Sequence, residues 1–132
     1  MKTKPCLTEQ DVEKMMAACR AEAAKHKWIV AISITDDSGF LLRLERMEGA
    51  GPMTAEVSHL KAKTAALSRR PTKFWEDRLK DRAAFLKFPE NLPIQGGIPL
   101  MYQGECVGAI GVSGVQSHED EQVANAGAAV LS

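Results

Sequence analysis

Twice in this chain a run of strand-forming residues is followed, after a few turn residues, by a second such run, and strands joined so tightly lie antiparallel. The first pair is Trp28 to Thr35 and Phe40 to Arg46, around the turn Asp36-Asp37-Ser38-Gly39. The second joins the stretch Leu92 to Tyr102, across Gln103-Gly104-Glu105, to the run Cys106 to Ser113. Pro93, Gly96, Gly97 and Pro99 interrupt the earlier member of that pair, so it belongs at a sheet edge or is kinked.

Helical patterns flank the hairpins. Thr8 before Glu9, Gln10 and Asp11 is a hydroxyl cap followed by first-turn acids. It announces a helix from about Glu9 to Lys25, with Val12, Met15, Met16, Cys19 and Ala23 as its buried stripe. Met53 to Ser68 reads as a second helix, closed by Arg69-Arg70-Pro71. Met53, Val57, Leu60, Thr64 and Leu67 are its expected core stripe, and Ala55, His59, Ala62 and Ala66 form another strip roughly opposite. That small-residue strip is either plain helix propensity or a face that a subunit or ligand approaches closely. Thr72 caps a third stretch, Lys73 to about Leu86, with less regular apolar spacing around Phe74, Trp75, Leu79 and Phe85. Ser117 caps a last helix with Glu119, Asp120 and Glu121 in its first turn and Val123, Gly127, Val130 and Leu131 facing inward. The order α-β-β-α-α-β-β-α predicts an α/β (α+β) fold, a mainly antiparallel sheet with helices packed on it, in one domain spanning residues 1–132.

A length of 132 residues suits one core without staples. Seventeen basic and 17 acidic residues cancel, which argues against nucleic acid or an anionic membrane as partner. No apolar run approaches the ~18 residues of a membrane span, and the start lacks the apolar segment of a secretory signal, so a cytoplasmic protein is expected. Cys6, Cys19 and Cys106 are odd in number and widely spaced, which predicts reduced thiols and neither a disulfide framework nor a thiolate zinc site.

Gly108, Gly111 and Gly114 recur inside a strand candidate, where glycine weakens packing and costs entropy. A dinucleotide site needs its glycines between a strand and a helix, so that reading is rejected. Either a helix packs very closely there, or a neighbouring subunit or planar ligand approaches the backbone. Gly96-Gly97 before Pro99 is likewise a kink or a pocket rim with exposed backbone N–H groups.

Four segments, Arg46-Met-Glu-Gly49, Lys61-Ala-Lys-Thr-Ala65, Gly96-Gly-Ile-Pro99 and Gly104-Glu-Cys-Val-Gly-Ala-Ile-Gly-Val-Ser-Gly114, occur in this order before a helix with an acidic start. Together they resemble the GlcG/HbpS-like family, and the likeness covers essentially the whole chain. The resemblance implies a profilin-like five-stranded antiparallel sheet and assembly into homo-oligomers. It also implies a small-molecule ligand, with haem the possible cofactor, because the family includes haem-binding and haem-degrading members. Other members occur beside genes of glycolate or diol metabolism without an assigned reaction.

Against that background Lys61 and Glu56, on opposite edges of the second helix's core stripe, are the candidate catalytic pair: Lys61 to hold a carboxylate or propionate and Glu56 to move a proton. The plain alternative is a snorkelling lysine and a solvated glutamate. Arg46 is a second anion anchor or an exposed salt-bridge partner. His59, with alanines beside it, is the candidate iron ligand or an ordinary surface histidine. With Gly96, Gly97 and Pro99 these residues make up the candidate site. At 100° per residue, however, Glu56 and Lys61 lie about 140° apart, so they and His59 cannot all serve one ligand. His118 among its acids reads as helix-dipole chemistry rather than a metal cluster, and His26 suits the end of the first helix. Three readings follow: a binding module with a haem-like ligand at a subunit junction, an enzyme or accessory factor for a small hydroxy or oxo acid, and an oligomeric scaffold without ligand.

Overall fold

The structure, a computed structural model, describes residues 1–131. The first helix, α1 (Glu9–Lys25), starts where the sequence says it should. Thr8 Oγ1 accepts from the Asp11 N–H at 3.1 Å while the Asp11 carboxylate accepts from the Thr8 N–H at 2.8 Å, a reciprocal capping box. Val12, Met15, Met16, Cys19 and Ala23 are its buried residues. Strands β1 (Ala31–Thr35) and β2 (Leu41–Arg46) follow as an antiparallel pair. Their turn is tied by the Asp36 carboxylate, which accepts from the N–H groups of Ser38 and Phe40.

Beyond them come α2 (Thr54–Ser68), α3 (Thr72–Arg78), β3 (Gly97–Tyr102), β4 (Glu105–Ser113) and α4 (Ser117–Ala128). All strand pairs are antiparallel and the spatial order is β2-β1-β4-β3.

The expected five-stranded sheet therefore has four strands among the described residues. The stretch Leu92 to Gln95 is in no strand: its Leu92 and Gln95 N–H groups donate to Thr64 Oγ1 and Glu76, and Gly96 at φ +135° precedes the start of β3. The element order gains two short 3₁₀ segments, Ala83–Lys87 and Ala129–Leu131, that the sequence reading lacks. Accordingly α3 stops at Arg78 instead of reaching Leu86. The cap of α4 is Gln116, one residue before the expected Ser117, with its own reciprocal bonds to Glu119.

The two faces of the sheet differ in kind. Ile32 and Ile34 of β1, opposite Val112 and Ile110 of β4, pack on Met15, Met16 and Cys19 of α1 and Val123 and Ala124 of α4. Each such side chain contributes about 1.5–3 kcal/mol by leaving water. On the other face the alternating positions are Ala31, Ser33 and Thr35 of β1 and Ala109 and Gly111 of β4, all small.

Helix α2 lies on this small-residue face with Ser58, Ala62, Ala65 and Ala66 inward. A Cβ on Gly111 would sit 2.1 Å from the Ser58 carbonyl oxygen and 2.5 Å from the Ala62 nitrogen, so the helix backbone rests directly on the strand. Ser33 and Ser58 meet at 2.7 Å; since Ser58 donates to the Ala55 carbonyl, Ser33 is the donor between them.

This corrects the expected orientation of α2 in part. Met53 and Leu67, assigned to the core by spacing, are 74% and 53% exposed, and Val57 and Leu60 are half-buried, while Thr64 of that stripe is buried; of the opposite strip Ala62 and Ala66 point inward and Ala55 and His59 are half-buried. Large side chains would hold a helix away from the sheet, whereas glycine and alanine let the two backbones come into contact.

Candidate functional site

The inner side of α2 carries one long cation. Lys61 is 2% exposed, and its ammonium donates to the Val112 carbonyl at 3.0 Å and to Asp120 Oδ2 at 3.1 Å. The other Asp120 oxygen accepts from the Val115 N–H at 3.1 Å. Burial pushes the Asp120 carboxyl above its ordinary value, opposed by the neighbouring Lys61 charge and the Val115 N–H. The pair joins α2 on one side of the sheet to α4 on the other, past the start of β3.

Gly96 and Gly97 make that passage possible. A Cβ on Gly96 would fall 2.7 Å from Lys61 Nζ and 2.9 Å from the Val112 carbonyl oxygen; one on Gly97 would fall 2.3 Å from the Lys61 carbonyl oxygen. Thr72 Oγ1 accepts from the Gly97 N–H at 2.9 Å and fixes the crossing.

The residues singled out from sequence thus divide into two groups. Lys61, Gly96 and Gly97 form the buried crossing, with Pro99 two positions further along β3 and half-buried. Glu56 is exposed, Arg46 is exposed at the end of β2 opposite Ala31, and His59 is half-buried with Nε2 3.3 Å from the Gly39 carbonyl oxygen. Glu56, His59 and Lys61 do not converge, as the helix geometry requires. His118 is exposed, Asp120 is turned inward to Lys61, and Glu119 accepts from the Gln116 N–H, so the acids at the start of α4 have structural partners. Burial pushes the Cys19 thiol up to about 12, far from a reactive thiolate. No group of three His, Cys, Asp or Glu side chains able to hold a metal ion occurs among the described residues.

The outer side of α2 opens onto a cavity of about 380 Å³ that sequence reasoning missed. Leu67, Thr64 and Ser68 form its floor, and Trp75, Phe88 and Asn91 are among the residues that wall it. Trp75 is the centre of an aromatic cluster, edge-on to Phe74, Phe85 and Phe88 at ring separations of 4.9, 5.2 and 5.4 Å. Two lining residues hold buried polar atoms without partners, the Trp75 Nε1–H donor and the Asn91 Oδ1 acceptor. Each costs about 1–3 kcal/mol while it stays unpaired.

Guanidinium groups lie on the flanking rings: Arg70 and Arg78 over Phe74, at 4.3 and 4.6 Å from its centre, and Arg82 over Phe85 at 5.0 Å. None of the three has a carboxylate partner among the described residues. One signal for the site was visible in the chain. Of two Trp, one Tyr and four Phe, four fall between residues 74 and 88.

Comparison with known proteins matches this architecture. The family model described as haem degrading protein HbpS-like matches residues 7–129. Protein GlcG of Escherichia coli strain K12 is 44% identical over 114 residues, which cover 86% of this chain and 85% of GlcG. The crystal structure of a double mutant of Streptomyces reticuli HbpS superposes with a TM-score of 0.93 at 34% identity, covering 100% of this chain and 91% of that one. The crystal structure of a PduOC:heme complex shares the fold with a TM-score of 0.87 at 23% identity, over 96% of this chain and 95% of that one. A model match across nearly the whole chain, together with relatives at 34% and 44% identity, shows that the chain belongs to the HbpS-like family.

Proposed function

We propose that this protein binds haem or a closely related flat cofactor on the outer side of α2, in a pocket completed by a second copy of the chain. The observation that carries this reading is the orientation of α2. Its alanine side is used up by the sheet, Met53 and Leu67 are exposed, and Leu67 lines an aromatic-walled cavity. A large exposed apolar surface of this kind marks a ligand or subunit contact. Family membership and the heme complex of the structurally similar PduOC support the choice of ligand.

Subunit association has its own support. Among the described residues strand β2 pairs only with β1 at the edge of the sheet, and Phe40, Leu41 and Leu42 at its start are exposed. No helix among the described residues is long and apolar enough to cross a membrane. With balanced charge, a cytoplasmic homo-oligomer without nucleic-acid partners is the setting we propose.

The residues present fit a haem in part. The cavity offers an apolar wall for a ring system, and haem bound there would supply iron chemistry. The lining residues include no imidazole, thiol, thioether or phenol to bind the iron. His59 is the candidate ligand from elsewhere on α2, and its Nε2 would have to leave the Gly39 carbonyl to serve. Of the cations assigned to the small-acid alternative, Lys61 already has two acceptors inside the fold, which leaves Arg46.

A haemin titration followed by visible absorption, alongside light scattering, tests the proposal. The expected result is a saturable Soret shift on an assembly of two or more chains. No shift and a monomeric mass at micromolar concentration would refute it.

A further inference from the structure

We infer that the groove between α2's outer side and the aromatic cluster selects a flat apolar ring system carrying at least two carboxylates, held by its acid groups rather than through a metal. This rests on the haem-like reading above and makes it more specific.

Charge is the first argument. Residues 69 to 90 contain seven basic and four acidic side chains in a chain whose total charge is zero, and the one carboxylate that lines the cavity, Glu90, is bonded to Lys63. One of these acids, Asp77, is already bonded to Lys73. Arg70, Arg78 and Arg82 have no such partner and lie over Phe74 and Phe85. A guanidinium held over a ring keeps its N–H edge free for a carboxylate, which it binds in a planar two-point contact. Two or more such groups side by side fit a ligand with more than one acid.

Shape is the second. Phe74 and Phe85 are the rings that meet Trp75 edge-on, and Trp75 lines the cavity, so the arginines stand one ring away from an apolar slot. That slot suits the body of a tetrapyrrole-sized molecule lying against α2, with its carboxylate arms reaching Phe74 and Phe85. Trp75 and Asn91, both lining residues, each carry a buried polar atom without a partner, one donor and one acceptor. Since the lining residues supply no axial base, the iron adds little to binding at this place.

The test is a fluorescence titration of the whole protein with three probes: haemin, metal-free protoporphyrin IX, and its dimethyl ester. It compares wild type with the triple variant R70Q/R78Q/R82Q, whose folding is checked by circular dichroism because all three arginines are exposed. The two diacids should bind within about threefold of each other, and the ester about tenfold more weakly. The triple variant should bind the diacids about tenfold more weakly and no longer distinguish diacid from ester, with added salt weakening only wild-type diacid binding.

Haemin binding that is lost in His59→Ala, unchanged in the triple variant and absent for the metal-free ring would overturn this inference and leave the haem-like reading standing. A triple variant that changes the mass in light scattering but not the affinity would assign the arginines to a subunit contact and equally overturn it. Failure of all three probes would bring down the functional reading and this inference together.

Discussion

The inner and outer sides of α2 are built from opposite materials, and the comparison shows what each is for. Inward lie Ser58, Ala62, Ala65 and Ala66, with Lys61 as the one long side chain; outward lie Met53, Leu67 and the aromatic cavity. Ranked by hydrophobicity alone, the sides should be exchanged. The inner side wins the sheet because it brings backbone against backbone, and close packing is worth more there than the transfer of larger side chains out of water. The outer side keeps apolar surface in solvent, which the fold itself does not need.

The sharpest way to break the comparison is to thicken the inner contact. Gly111→Ala places a methyl 2.1 Å from the Ser58 carbonyl oxygen, so the helix has to lift, and urea unfolding should show a loss of about 3 kcal/mol or more. Gly104 has open space around its Cβ position, although its φ is +78°. Gly104→Asn, a residue that tolerates the left-handed region, should change stability by less than about 1 kcal/mol.

Next in size is the ion pair that crosses from α2 to α4. Lys61→Met strands the buried Asp120 charge and should cost about 3–5 kcal/mol in urea unfolding. The double variant Lys61→Met/Asp120→Leu should recover most of that loss, because an apolar pair has no charge to leave unpaired. A single variant as stable as wild type would show that Lys61 is not the structural crossing described here. On the outer side the expectation is the opposite, since Met53→Ser should alter the melting free energy by no more than about 0.5 kcal/mol.

The smallest effect is that of acid. Hydrogen bonds and neighbouring cations hold Asp37, Glu90 and Glu105 below their ordinary values, chiefly through Lys4, Lys63 and Lys2 respectively. A carboxylate with a lowered folded-state value adds stability that is present above its unfolded value and disappears as pH falls through the folded one. Asp120 has the opposite sign, because burial raises it. Thermal melts should therefore lose a little stability on acidification below the ordinary carboxylate range. The loss should be damped by added salt, since the three pairs are on the surface.

How far the sequence reveals this molecule follows from the same contrast. Helix α1 is legible because its cap and its stripe of large residues are local and point to one answer, and both hairpins are legible from their turn residues. The extent of α2 is legible as well. Its orientation is not, because spacing ranks side chains by size and polarity and gives no weight to Gly111 of β4, against which Ser58 and Ala62 rest, or to Gly97 of β3, against which the Lys61 backbone rests. Of the recurring glycines only Gly111 marks the close helix packing, since Gly108 meets Thr35 and Leu7 and Gly114 meets Ile29 and Val30.

Lys61 shows a second limit. Its partner Asp120 is 59 residues away, and nothing local marks either as buried. The cavity beside Trp75 hides for a third reason: residues 74 to 88 read as an irregular helix, yet they fold as a short helix and a 3₁₀ segment gathered around one indole.

The central claim is that the outer side of α2 binds and the inner side holds the fold. Its most direct test is a haemin titration of Leu67→Asp, a change on the cavity floor at a residue already 53% exposed. The account predicts an unfolding curve close to wild type and a Soret shift weakened about tenfold or more, because a charged carboxylate on the apolar part of the slot has to be desolvated when the ring covers it. A variant that is equally stable and binds haemin at wild-type strength would contradict it.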